Sequence, residues 1–368
     1  MSGQGNSATP TVVITGVEQS AADTTAMSLL FDLPKPVVVT HSFGADGTSL
    51  VRTVSDVTGL LDRTTIDLEH ACVPCAIRED VLPTIAGLAS SGHWSSIIAR
   101  LPIGAEATQL CRVASYEPNT LGGARIAAVV NAVDGCDAVR HLTGPELLVE
   151  RELPTFEGDV RGTAEVATTL LEYADVIAVD GELMPECSTL VRTLARPGAQ
   201  VVENWSQWDA TALLPGVHDV EAIEKWVAET PPAQIGDSCE DGVWRVRLRS
   251  ERAVHPERIQ ENLPELGGGA FRTRGCFWVP TRPETLCVWD GAAGQLNIGT
   301  AGRWRRPAAR RTDFVVTGLL AHGDPRDELR RAFEAALCTP AELDTLAAVW
   351  STDEDGLEPW LGDMKEYH

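Results

Sequence analysis

The chain has 368 residues, of which 43% are hydrophobic, and a formal net charge of −23 at pH 7. This length suffices for about two domains, each with its own core. The negative charge disfavours salt-driven binding to nucleic acid phosphates, and favours a basic protein or a metal cation as partner. Because no apolar run is long enough to cross a membrane and the N-terminus is polar, we expect a cytoplasmic protein without a membrane segment.

The first part of the chain, residues 1–204, alternates short β-branched apolar runs with helical patterns. This alternation predicts an α/β domain with a mostly parallel sheet and flanking crossover helices. Helices are expected at, for example, 22–30 and 79–90. The predicted strands lie at 11–15, 37–41, 64–68, 96–100, 124–130, 176–179 and 200–202.

A stretch rich in proline and glycine, TPPAQIGDSCEDG, ends a segment of mixed character and predicts a linker over residues 205–241. Residues 242–350 then predict a smaller α+β domain. It contains an alternating strand VWRVRLRSE, a helix HPERIQENLPEL in which Pro256 suits the first turn, and three further strand-like runs. An acidic tail occupies residues 351–368.

Residues 11–30, TVVITGVEQSAADTTAMSLL, have the surroundings of a phosphate-binding P-loop. A predicted strand leads to Gly16, a loop of small residues follows, and Thr24 and Thr25 open a predicted helix. A working P-loop needs glycines whose amides face phosphate and a lysine that offsets the phosphate charge.

Several residues of this loop oppose nucleotide binding. Glu18 and Asp23 would repel a triphosphate, the loop is one residue longer than usual, and the nearest lysine is Lys35, beyond the helix. Taken alone, the segment favours an ordinary strand–turn–helix. We therefore expect no working GTP or ATP site.

A second motif, ACVPCAIREDVL at residues 71–82, resembles the Cys-x-Cys-Cys segment and the following Arg-Glu-Asp of CobW-like GTPases, a family that includes zinc metallochaperones. Cys72 and Cys75 match the outer cysteines, and Pro74 replaces the middle one. HPERIQENLPEL, FRTRGCFWVP and QLNIGTAGRW resemble the C-terminal domain of that family, in the same order. The resemblance covers most of the chain and implies a P-loop-type first domain followed by a CobW C-terminal-type domain.

Two other segments depart from the family pattern. IIARLPIG, at residues 97–104, keeps Gly104 without the acidic partner that supports magnesium in the family. ADVIAVDGELM, at residues 174–184, replaces the guanine-reading Asn-Lys-x-Asp, and the usual His-rich loop is missing. Because these departures are independent of the missing lysine, the resemblance implies a degenerate branch: a pseudo-GTPase without a nucleotide cofactor or catalytic residues.

Two thiolates at the spacing of Cys72 and Cys75 can bind one tetrahedral zinc ion, but a closed zinc site needs two more ligands. The candidates are neighbours in sequence or residues that could approach in the fold: Glu69, His70, His93 and Cys111. A redox dithiol and partly buried structural thiols are the alternatives. Zinc is thus the one cofactor that the sequence indicates.

Within the family, the resemblance is greatest to a mycobacterial branch that recruits the ribosome-hibernation protein Y under zinc limitation. It implies a non-catalytic, zinc-responsive adaptor that binds protein Y, the ribosome or both. The alternative is a zinc metallochaperone, or a zinc-handling GTPase with an atypical nucleotide site.

The chain has one basic cluster, WRRPAARR, which contains Arg305, Arg306, Arg310 and Arg311. A solvated strand edge is the simpler interpretation of such a cluster. On so acidic a chain it is also the one candidate surface for direct contact with RNA or an acidic partner.

Overall fold

The computed structural model describes residues 8–153, 155–343 and 355–363. The chain divides into two compact units, the first comprising Met1–His141 and Glu146–Glu224 and the second Leu142–Pro145 and Lys225–His368. The predicted fold class is confirmed: a mostly parallel sheet with helices is followed by an antiparallel sheet domain. No helix in the described ranges is long and apolar enough to span a membrane.

The first unit is built on an eight-stranded sheet. Its strands are β1 (Thr9–Gly16), β2 (Pro36–Phe43), β3 (Ser49–Asp56), β4 (Gly59–Asp67), β5 (Ser96–Arg100), β6 (Ala124–Asp134), β7 (Val176–Asp180) and β8 (Gln200–Val202). They lie in the order β4-β3-β2-β5-β1-β6-β7-β8. The six neighbouring strands β2-β5-β1-β6-β7-β8 are all parallel to one another, whereas β3 pairs antiparallel with β2 and β4 pairs antiparallel with β3. The C-terminal ends of β1 and β6 therefore lie side by side.

Sequence patterns located some strands better than others. The predicted strands 96–100 and 200–202 coincide with β5 and β8. The antiparallel strand β3 was not predicted, and 64–68 captures only the end of the edge strand β4. For β4 the reason is exposure: it is exposed along most of its length, with Leu60 64% exposed, so it carries little apolar alternation for a pattern to detect.

Eight helices up to residue 227 flank or follow these strands. They are α1 (Gln19–Asp32), α2 (Val73–Ala76), α3 (Leu82–Ser91), α4 (Thr108–Tyr116), α5 (Ala138–Thr143), α6 (Thr163–Tyr173), α7 (Pro185–Leu194) and α8 (Val220–Val227). A buried apolar cluster joins α1 to the central strands through residues such as Ala22, Leu29, Ile14 and Val130.

The helix predicted at 79–90 is instead divided between a π-helical turn, Ile77–Val81, and α3. Pro83 explains the irregularity, because it lacks the amide hydrogen that would donate to the carbonyl of Glu79 in a regular α-helix. The amide of Leu82 donates to the carbonyl of Ile77. Single π-turns of this kind are frequent at functional sites.

The second unit contains a six-stranded antiparallel sheet. Its strands are β9 (Ser238–Glu240), β10 (Val243–Ser250), β11 (Phe271–Phe277), β12 (Thr285–Ala292), β13 (Gln295–Arg303) and β14 (Thr312–Leu319). They lie in the order β13-β12-β11-β14-β10-β9. The helices of this unit include α9 (Pro256–Glu261), α10 (Leu263–Gly267) and α11 (Arg326–Ala336). The single helix predicted from HPERIQENLPEL is two helices, because Asn262 leaves helical geometry (φ −102°, ψ 9°) ahead of Pro264.

Much of the segment predicted as a linker, 205–241, has regular structure. It contains two 3₁₀ turns, α8 and β9, and the two compact units divide within α8. Tryptophans account for this order: Trp205 packs against the core of the first unit and donates its indole hydrogen to the carbonyl of Val179 at 2.9 Å. In the second unit, Trp226 is buried and its ring lies under the guanidinium of Arg274.

The acidic tail at 351–368 is described only from 355 to 363, where it is tied to the second unit. Asp355 pairs with the guanidinium of Arg282 at 3.0 Å, and the exposed fractions of the two side chains are 1% and 4%. A short helix, Glu358–Leu361, follows. Removing one partner of a buried ion pair costs about 3–5 kcal/mol, because the other charge is left buried and unpaired. The contact with Arg282 therefore ties Asp355 to the second unit.

The aromatic core of the second unit provides a test of the fold. The ring of Phe314 stacks on Trp289 at 4.9 Å and contacts Phe277 and Phe333. We expect Phe314→Ala to lower the unfolding free energy of this unit by about 3–5 kcal/mol, because it leaves a cavity in a closed core. Chemical denaturation of the full chain, followed by tryptophan fluorescence, measures the change.

The matched control is Leu320→Ala in the same unit, because this side chain is 40% exposed. It should change the unfolding free energy by less than about 0.5 kcal/mol. Equal effects of the two substitutions would contradict the packing of the aromatic core.

Candidate functional site

The segment whose surroundings resemble a P-loop, residues 11–30, contains a two-residue turn between a strand and a helix. β1 ends at Gly16 and α1 begins at Gln19, with Glu18 as N-cap in extended backbone (φ −109°, ψ 128°). The predicted loop of small residues is helical instead, because its alanines favour helix and are buried against the sheet. Thr24 and Thr25, expected to open the helix, therefore lie in its second turn.

Two of the residues singled out in this segment, Gly16 and Thr25, make hydrogen bonds within the protein. The hydroxyl of Thr25 is fully buried and donates to the carbonyl of Ala21 at 2.8 Å. The carbonyl of Gly16 accepts from the amide of Gly104 at 2.9 Å. A Cβ on Gly16 would lie 3.0 Å from the carbonyl oxygen of Ala132, so close packing disfavours a larger residue there.

Asp23 has a partner of its own. Its carboxylate lies 2.9 Å from Nε of Arg100, whose side chain is 3% exposed. Arg100 is the last residue of β5. A buried guanidinium needs a counter-charge, and the half-exposed side chain of Asp23 supplies it.

The two cysteines lie together at the start of α2. Cys72 is half-buried and is the N-cap, whereas Cys75 is buried within the helix. A hydrogen bond with the Cys72 thiol, together with burial, raises the pKa of Cys75 above its ordinary value. The guanidinium of Arg78 lies 3.7 Å from the Cys75 sulfur. The predicted pair is thus a pair of adjacent thiols next to one cation.

The further ligands suggested for this pair do not gather around it. Arg78 engages the carboxylates of Glu79 at 2.8 Å and Glu69 at 3.4 Å. His70 is exposed, and its backbone carbonyl accepts from the amide of Cys72. Among residues 8–153, 155–343 and 355–363, the cysteine pair belongs to no group of three or more potential ligands close enough to share a metal ion. The pair therefore supplies two ligands, not four.

A buried polar network fixes the segment that follows the cysteines. Asp80, in the π-turn, accepts at 2.8 Å from both His41 of β2 and Arg52 of β3. Burial lowers the pKa of His41, so the ring is neutral and donates through Nε2. The Asp of the Arg-Glu-Asp motif thus anchors the cysteine segment to the sheet.

A group that sequence reasoning missed lies where β1 and β6 end. Potential ligand atoms of Glu18, Asp137 and His141 all lie within 4.8 Å of one another. Asp137 and His141 are four residues apart, and the amide of His141 donates to the carbonyl of Asp137 at 2.9 Å. The spacing Asp-x-x-x-His was the available signal, but only the fold brings Glu18 to it.

The basic cluster is only partly available to a partner. Arg305 and Arg306 are exposed. Arg310 lies over the ring of Trp278, and Arg311 pairs with Asp313 at 3.3 Å. Half of the cluster thus has a structural role in the second unit.

Residues 243–337 match the family model of the cobalamin synthesis protein CobW C-terminal domain. Over these residues the second unit is similar to that domain. The match runs from the start of β10 to the residue after α11, which is most of the antiparallel sheet and its helices.

Two relatives carry names related to zinc. One, from Mycobacterium tuberculosis, is named zinc chaperone Rv0106; it is 27% identical over 394 residues, covering 96% of this chain and 94% of the relative. The other is zinc-regulated GTPase metalloprotein activator 1 of Dictyostelium discoideum, 20% identical over 259 residues, covering 65% of this chain and 54% of the relative. A solved structure, Zn(II)-bound YjiA GTPase from E. coli, aligns with 89% of this chain and 99% of that chain at 15% identity, with a TM-score of 0.35.

The buried His41 predicts a pH dependence of stability. Its folded-state pKa lies below the ordinary 6.5, so the unfolded chain takes up the proton first as the pH falls. Stability should therefore decrease below about pH 6.5, by up to about 1.4 kcal/mol per pH unit. In His41→Gln, whose amide can still donate to Asp80, this part of the slope should vanish. Denaturation series between neutral and mildly acidic pH measure the difference.

The control for that series is His93→Gln, because His93 is exposed. Its stability should follow the same slope with pH as the original protein. A His41→Gln variant with an unchanged slope would show that His41 is not held neutral by burial.

Proposed function

We propose that this protein handles zinc and that Cys72 and Cys75 are its zinc-binding thiols. The observation that carries the proposal is the placement of these two thiols three residues apart at the start of α2, Cys72 as its N-cap and Cys75 within it. Thiolates at this spacing bind one zinc ion and leave further coordination positions to other ligands. The near full-length relative named a zinc chaperone supports the same role.

An incomplete ligand set suits delivery better than storage. A closed four-ligand site holds zinc as a structural element, whereas a two-thiol site leaves positions open to water or to ligands of a recipient protein. The contact between Arg78 and the Cys75 sulfur favours the thiolate, but the hydrogen bond with Cys72 and burial favour the thiol. Zinc must therefore displace protons from this pair, which makes its binding weaker at lower pH.

We also propose that the protein acts without binding GTP. Three features of the first unit support this: the two-residue turn before α1, the burial of the Thr25 hydroxyl, and the use of Asp23 as counter-charge to Arg100. A P-loop needs a longer glycine-rich loop whose amides face phosphate, and a lysine, and neither occurs between β1 and α1. The protein is then a zinc-binding scaffold and not an enzyme.

The adaptor interpretation has less support than the zinc-handling one. The names of the relatives concern zinc delivery and metalloprotein activation, and none concerns a ribosome. Recruitment of protein Y, contact with the ribosome or another basic partner, and the cytoplasmic location stay predictions. A zinc-handling protein is the common part of both interpretations.

The zinc proposal predicts a change in metal content. In the double variant Cys72→Ser, Cys75→Ser, bound zinc should fall by about one ion per chain, because serine does not replace a thiolate ligand. Equilibrium dialysis followed by elemental analysis measures the stoichiometry. The matched control replaces the exposed Cys136 and Cys239 by serine and should retain the zinc of the original protein. An unchanged zinc content in the first double variant would exclude these ligands.

The nucleotide proposal predicts no saturable binding of GTP up to millimolar concentration, with or without magnesium. Isothermal titration and a fluorescent GTP analogue measure it on the purified full chain. Micromolar affinity together with magnesium-dependent hydrolysis would show that the first unit retains a nucleotide site of another design.

A further inference from the structure

We propose that Glu18, Asp137 and His141 form a second metal site, free of thiols, that binds a divalent transition-metal ion such as Zn²⁺. It is separate from the cysteine pair, since no cysteine belongs to the group. It lies within the first unit, at the N-terminus of α1.

The fold supplies the three ligands from two short connections. Glu18 comes from the turn between β1 and α1, and the other two come from the connection after β6 and the first turn of α5. A spacing of four residues places Asp137 and His141 on one side of a helical turn, facing the same point. Because β1 and β6 are neighbours, Glu18 completes the group.

The imidazole of His141 is the observation that points to a ligand. Its side chain is 3% exposed, and the buried Nε2 atom has no hydrogen-bond partner. The nearest carboxylate oxygen, Oε1 of Glu18, is 3.7 Å away, beyond hydrogen-bond distance. A buried polar atom without a partner is costly, and a metal ion between these two atoms would give Nε2 the partner it lacks.

The protonation states also suit a cation. Burial and the nearby Arg151 lower the pKa of His141 to about 4, so its ring is neutral at pH 7 and offers a lone pair. Glu18 and Asp137 contribute two carboxylates to the group, whose charge a divalent cation would offset.

Two positive charges oppose the ion. The guanidinium of Arg151 pairs with Asp137 at 2.9 Å, and the N-terminus of α1 carries a partial positive charge of about half a unit. The carboxylates of Glu18, Asp134 and Asp137 offset these two positive charges. Because a carboxylate has two oxygens, Asp137 can keep its bond to Arg151 through one of them and offer the other to the metal.

The donor set indicates the class of ion. One imidazole nitrogen with two carboxylate oxygens is a set that Zn²⁺ and similar ions bind with three protein ligands and an open position. Mg²⁺ and Ca²⁺ prefer oxygen ligands throughout, so the histidine disfavours them. A site of this kind holds a cation where a P-loop protein holds an anion.

The test removes the cysteine pair first. In the full chain with Cys72→Ser and Cys75→Ser, we expect about one Zn²⁺ per chain to remain in equilibrium dialysis. Adding Glu18→Gln, Asp137→Asn or His141→Gln should weaken the remaining binding at least about tenfold, because each removes one of three ligands. His93→Gln in the same background is the control and should bind as the background does. Co²⁺ bound there should show visible d–d bands without a sulfur charge-transfer band.

The outcomes separate this inference from the proposed zinc function. Loss of all zinc in the cysteine double variant would overturn the second site and leave the first intact. Zinc that remains through all three ligand substitutions would also overturn it. Retained zinc that depends on Glu18 and Asp137 supports the site even if the cysteines bind none. The side chains of Glu18 and Asp137 are 24% and 45% exposed, so replacing them disturbs the fold less than replacing the buried His141. If His141→Gln fails to fold, the variants Glu18→Gln and Asp137→Asn still test the site.

Discussion

The abrupt passage from β1 to α1 is the constraint on which the rest of the first unit depends. β1 lies between β5 and β6 in the sheet, and only Val17 and Glu18 separate it from the helix. This short turn brings the first residues of α1 against the sheet, where Ala21 and Ala22 are buried. It also places one carboxylate at the end of the strands and leaves no loop to wrap around a ligand.

Sequence reasoning succeeded where local pattern and burial agree. Strands β5 and β8 follow from short apolar runs, and the cysteine pair follows from its spacing. It failed where exposure removes the pattern, as in the edge strand β4. It also failed at residues 205–241, where proline and glycine indicated a linker but buried tryptophans produce order. Composition measures the local preference of a chain, and tertiary packing overrides it.

The candidate sites show the same division between local and distant information. Cys72 and Cys75 are three residues apart, so sequence alone identifies the pair. Glu18 and His141 are separated by more than a hundred residues, and only the pairing of β1 with β6 brings them together. The contacts of Asp80 with β2 and β3 are equally distant in sequence. Motifs therefore reveal ligands supplied by one turn of chain, whereas sites assembled by a sheet require the fold.

The ion pair of Asp23 and Arg100 restricts which residues this part of α1 can accept. A glycine or lysine in place of Asp23 would leave the buried guanidinium of Arg100 without its counter-charge. A buried charge without a partner is costly, whereas Asp23 itself is half-exposed and easily solvated. The order of substitutions therefore matters: a change at Asp23 is tolerated more readily once Arg100 has been replaced by an uncharged residue.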